Sequence, residues 1–97
     1  MTVSVFKQSL ASDFPPSGIS SQLTSLWYDA KNDWQKAHDL ADGPTDLLSA
    51  RVHAYLHRKE GDIWNADYWY RRAGEKRPDT SLEEEWEMLV SRILNKA

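Results

Sequence analysis

The chain has 97 residues, 40% of them hydrophobic and 28% charged, which is the balance of one globular domain and not of a disordered segment. A formal net charge of −3 argues against nucleic acid as a partner, and the lack of cysteine excludes disulfide staples, thiolate metal sites and a cysteine nucleophile. The start, MTVSVFKQSLASDFPPSG, shows no basic stretch followed by an apolar run, and no segment is long enough to span a bilayer. A cytoplasmic location without membrane contact is the expectation.

Residues 1–19 contain Pro15, Pro16 and Gly18 and no sustained helical period, so they read as an irregular arm with Val3, Val5, Phe6 and Phe14 as anchors. From Ser20 or Ser21 onward, Leu23, Leu26, Trp27 and Ala30 recur at helical spacing until Asn32. Asp33 is placed to cap a short second helix with Trp34, Ala37, Leu40 and Ala41 inside. Gly43-Pro44 should end it through a left-handed glycine cap. A third helix is predicted from Thr45 to about Glu60, carrying Leu48, Val52, Tyr55 and Leu56 on one side. Gly61 closes it, and Asp62 caps a fourth helix that buries Ile63, Ala66, Trp69, Tyr70 and Ala73 before stopping at Gly74. After the EKRPD loop, Thr80-x-x-Glu83 or Ser81-x-x-Glu84 supplies a capping box for a last helix. Its inner face is Leu82, Trp86, Leu89, Val90, Ile93 and Leu94. The expected fold is all-α. One domain covers residues 20–97, with antiparallel hairpins at 20–43 and 45–74 and a capping helix at 80–95.

The two hairpins resemble each other at an offset of 29 residues, pairing Leu23 with Val52, Leu26 with Tyr55, Trp27 with Leu56, Asp33 with Asp62 and Ala37 with Ala66. A repeated pair of helices buries its apolar face by stacking on its copy. In the second hairpin, GDIWNADYWYRRA followed by Pro78 resembles a tetratricopeptide repeat, with Gly61 and Asp62 at the turn, Ala54 and Ala66 at the helix crossing, Tyr70 as the large packing residue and Ala73 as the second small one. His53 and His57 stand where that repeat has leucine and tyrosine. The first hairpin keeps only Asp33, Ala37 and Ala41, and the period is shorter than the usual repeat of about 34 residues. The chain is also similar to small uncharacterised proteins that share VHAYLHRKEGDIWNADYWYRRAG, a likeness that carries no activity with it.

What the repeat resemblance implies is a scaffold that binds a protein or an acidic peptide. The first helix of each unit would line a groove, here with Leu48, Arg51, Tyr55, Arg58 and Lys59. The charge pattern fits either a ligand or internal pairing. Residues 1–50 carry three Lys against six acids, residues 51–78 seven Lys or Arg against four, and residues 79–97 two against five. A basic middle between acidic flanks grips an anionic partner, or neutralises itself on packing, for instance through Asp29. On the fourth helix, Trp64, Tyr68, Arg71 and Arg72 form a second stripe opposite Ala66 and Tyr70. Such residues dominate interfaces, so the stripe serves a partner or a homodimer, or it receives the last helix as core.

The alternative is a small-molecule or metal-binding protein, with an enzyme left open, built on a pocket of His38, His53, His57 and nearby aromatics. His53 and His57 are four apart and share a helix face, with Glu60 a turn further on. HAYLH lacks the glutamate of the zinc-peptidase motif, and hydrogen-bonded core histidines partnered by Asp33 or Asp67 are the plainer reading. Without a Gly-x-Ser-x-Gly or a glycine-rich phosphate loop, neither catalysis nor a cofactor is expected.

Overall fold

The computed structural model describes residues 1–96. Its helices are α1 (Val3–Ser9), α2 (Ser21–Ala30), α3 (Trp34–Asp42), α4 (Leu47–Glu60), α5 (Ile63–Arg72) and α6 (Leu82–Leu94), with no strand among the described residues. Ala97, the last residue of the expected domain, lies outside them. No helix among the described residues is long and apolar enough to cross a membrane.

The same turn is built twice. Asn32 (φ 65°) and Gly61 (φ 90°) both stand in the left-handed region, where glycine is at ease and asparagine is the commonest substitute. Next to each, Asp33 and Asp62 accept a backbone N–H three residues on, from Lys36 and Asn65, both at 3.2 Å. Each aspartate thus satisfies an amide that the first helical turn would leave unpaired. The α2–α3 and α4–α5 pairs are therefore hairpins of one design, 29 residues apart, as the internal repeat requires.

The hairpins stack through α3 against α4, while α4 also touches α2, α5 and α6. Close approach depends on side chains that hardly exist. Ala37, Ala54 and Ala66 are wholly buried and Ala73 nearly so. Ala37 lies in a cluster with Leu26, Trp27, Val52, Tyr55 and Leu56, closed on the far side by Trp86, Leu89 and Val90 of α6, while Ala54 and Ala66 form a second cluster with Tyr70 and Trp69 between α4 and α5. Ser25 and Trp34 are paired where they enter this core, Ser25 Oγ donating to the Ala37 carbonyl at 2.7 Å and Trp34 Nε1 to the Leu56 carbonyl at 2.8 Å, whereas Nδ1 of His38 and of His53 and the Thr80 hydroxyl are buried without a partner among the described residues. The α6 helix lies across α2 and α4, its Trp86 Nε1 donating to the Leu26 carbonyl at 3.0 Å. It starts on a capping box in which Ser81 and Glu84 exchange hydrogen bonds.

Several expectations need correction. The arm is not wholly irregular, because residues 3–9 form α1, capped by the Thr2 hydroxyl on Val5 N–H and held by Phe6 packing 5.8 Å from the Trp86 ring. Phe6 is buried, whereas Val5 and Phe14 face outward. Gly43 ends α3 in right-handed geometry (φ −69°), so the stop comes from Pro44, which lacks the N–H to continue the ladder. Ile63 is exposed because it occupies the first helical position of α5, one residue past the cap, where the chain is still turning outward.

Candidate functional site

The face of α4 that a groove would use is occupied by α6. Glu85 sits on the apolar stripe of α6, one turn after Leu82 and one before Leu89, and is fully buried. Its Oε2 accepts from Arg51 Nη1 at 2.7 Å and Tyr70 Oη at 2.5 Å, and its Oε1 from Arg58 Nη1 at 2.6 Å. Arg58 also donates to the Thr80 carbonyl, and Arg51 to Glu75 at 3.1 Å with its guanidinium 4.7 Å over the Tyr70 ring. On the other flank Asp29, buried in α2, accepts from Tyr55 Oη at 2.9 Å and Lys59 Nζ at 2.8 Å. Burial first, and then Asp29 beside Tyr55 and the Glu85 hydrogen bond on Tyr70, push both phenols above their ordinary range, so both stay donors. Arg51 and Tyr55 are thus core residues, Arg58 and Lys59 are tied inward, and only a half-buried Leu48 remains of the expected groove. The basic middle of the chain neutralises itself on the acidic flanks.

The α5 stripe behaves differently. Trp64 is 78% exposed and Tyr68 38%, and Arg71 and Arg72 face solvent beside them. Arg72 donates to Tyr68 Oη at 3.3 Å and lies 5.2 Å from the Trp69 ring, while Arg71 makes no ion pair among the described residues. The expectation that the last helix covers one of these aromatics is overturned. The α6 helix spends its apolar face on α2 and α4, where Arg51 and Arg58 of α4 meet Glu85.

The three histidines do come together. His38 of α3 meets His53 and His57 of α4 with ring centres 4.5 and 5.2 Å away, and the latter two are 4.8 Å apart. Two tryptophans wall the cluster, Trp34 stacked on His38 at 4.9 Å and Trp69 on His53 at 3.9 Å. Neither Asp33 nor Asp67 is the partner. His57 Nδ1 pairs with Glu60, three residues on and on its own face, at 2.6 Å, while Asp39, next to His38 in sequence, and Asp42, on the facing helix, stand 3.8 Å from Nδ1 of His38 and His53 respectively. No family model, curated protein or solved structure matches this chain.

Burial, followed by the neighbouring His38 and His57 rings, lowers the His53 pKa to about 4 against the opposing pull of Asp42. The unfolded chain, with an ordinary value of 6.5, therefore holds more protons than the folded one between those limits. The His53 contribution to stability is complete above pH 6.5, declines as pH falls through the window and levels off near 4, a loss of roughly 3 kcal/mol from this group. In chelator-treated protein, denaturant midpoints from pH 7.5 to 4.5 should fall less steeply for His53→Phe than for the native chain; equal slopes would assign the proton uptake to another group.

Proposed function

We propose that this chain is a tetratricopeptide-like binding module of the cytoplasm that takes an acidic segment of a partner protein on the outer face of α5. The observation that carries this reading is Trp64, 78% exposed, with Tyr68 one helical turn on and the unpaired Arg71 on the next. A tryptophan in water forgoes the burial that stabilises every other tryptophan of the chain, and Trp, Tyr and Arg together are the residues that anchor interfaces. The cations of the α4 face are committed to Glu85 and Asp29, whereas Arg71 and Arg72 of the α5 face stand beside Trp64 and Tyr68 without a carboxylate partner among the described residues, placed to meet an acidic ligand. The rigid hairpin stack behind α5 serves as the support.

The test pairs native chain with Trp64→Ala and Arg71→Ala in capture from the source cells. A partner held by the native chain should be lost from both variants, with about 2 kcal/mol, roughly 30-fold in Kd, removed by the tryptophan change. Unfolding midpoints should stay within about 0.5 kcal/mol of native, since neither side chain is part of the core. Undiminished capture by both variants would end the reading. Sedimentation at high concentration separates the self-associating version, in which the same face meets a second copy: a strict monomer removes the homodimer.

A further inference from the structure

A buried imidazole nitrogen without a hydrogen bond is costly, and Nδ1 of His38 and Nδ1 of His53 are both in that state, side by side. They belong to a set of three rings in which one nitrogen from each lies within 4.8 Å of the other two. We propose that His38, His53 and His57 bind one transition-metal dication of the class of Zn²⁺, clamping α3 to α4. The inference is independent of the partner-binding face on α5.

Size is the first support. Zinc holds imidazole nitrogens at about 2.0–2.1 Å, which at tetrahedral angles puts three ligating nitrogens about 3.4 Å apart and their ring centres about 5.2 Å apart. The ring centres observed at 4.5, 4.8 and 5.2 Å already span that triangle to within about 0.7 Å. The rings need to tilt toward a shared point; the helices need not travel.

Orientation is the second. The His57 Nδ1–H donates to Glu60 at 2.6 Å, which leaves the Nε2 lone pair for an ion. His38 and His53 also have a carboxylate beside Nδ1, each 3.8 Å away. A carboxylate behind each ligating imidazole fixes the tautomer and raises ligand basicity. An ion on the Nε2 side fixes both orphaned Nδ1 atoms as N–H donors, and a shift of under about 1 Å by Asp39 and Asp42 would bring each carboxylate into hydrogen-bond range. The stacked Trp34 and Trp69 rings hold the imidazoles from their outer faces, and in a chain without cysteine nitrogen ligands favour ions of the zinc and copper group.

A second set, His57 with Glu60 and Asp62, also gathers within 4.8 Å, but it is more exposed and Asp62 is already used as the α5 cap. The experiment separates the two. Chelator-treated full chain is titrated with zinc chloride by calorimetry, thermal melting and imidazole NMR. One ion per chain, a melting midpoint raised by several degrees in excess zinc, and shifts at all three histidines are expected. His38→Phe keeps a ring on Trp34; it should melt like the native chain in chelator and lose the zinc-induced rise. Glu60→Gln should weaken binding by about 10–100-fold. Absence of binding by the native chain overturns the proposal, and so does a zinc response confined to His57, which needs no variant to be observed.

Discussion

Glu85→Ala is expected to destabilise the fold by about 3–5 kcal/mol, the cost of leaving buried charge without its counter-ion. One carboxylate accepts from Arg51, Arg58 and Tyr70, and its removal strands a guanidinium that is 96% shielded and a second that is mostly so. Glu75 still reaches Arg51, so its charge is not wholly orphaned; Arg58 keeps only the Thr80 carbonyl. Denaturant unfolding gives the number directly. The triple change Glu85→Leu, Arg51→Met, Arg58→Met should recover most of the loss, because a packed apolar set of similar volume does as well as a buried ion network. If Glu85→Ala alone costs under about 1 kcal/mol, the carboxylate is not the hub that its contacts describe.

Trp27→Ala should cost a similar amount, about 3–5 kcal/mol, for a different reason. Trp27 is wholly buried in α2, donates Nε1 to Ser9 Oγ at 3.1 Å, and meets Tyr28 edge-on at 5.2 Å. Truncation removes one of the two tryptophans of the buried core and leaves a cavity that the surrounding helices would have to collapse to fill. It also frees the Ser9 hydroxyl, so α1 should loosen first; amide exchange in residues 3–9 should quicken more than in α4. Against Trp64→Ala, near neutral in stability, the pair measures how much burial alone decides the worth of a tryptophan. A loss below about 1.5 kcal/mol for Trp27→Ala would contradict the packing described.

Much of this architecture is legible in the chain. Asp33, Gly61, Asp62 and the Ser81–Glu84 box mark helix ends through local hydrogen bonds, and the buried alanines at 37, 54, 66 and 73 mark where helices cross. What periodicity does not say is which neighbour a face will meet. The stripe of α6 was plain, but its placement over α2 and α4 turned the expected groove of Arg51 and Tyr55 into core. A signal existed in Glu85, a charge at an inward position between Leu82 and Leu89, which demands buried cations elsewhere. Likewise His53 and His57 announce a shared face by their spacing, whereas His38 joins them only because α3 packs on α4. The seven-residue α1 is shorter than any length that propensity sustains alone, and Phe6 meeting Trp86 supplies what the local sequence does not.

Among the described residues Lys7 joins Glu87 and Phe6 meets Trp86, both across 80 positions, and Trp86 closes on Leu26 across 60. During synthesis both hairpins therefore emerge before the segment that seals them, with two arginines still awaiting their acid and an oily seam open to the surroundings. A chain interrupted ahead of residue 82 would lack α6 and leave the seam of α2 and α4 uncovered, an exposed apolar surface of the kind that drives aggregation.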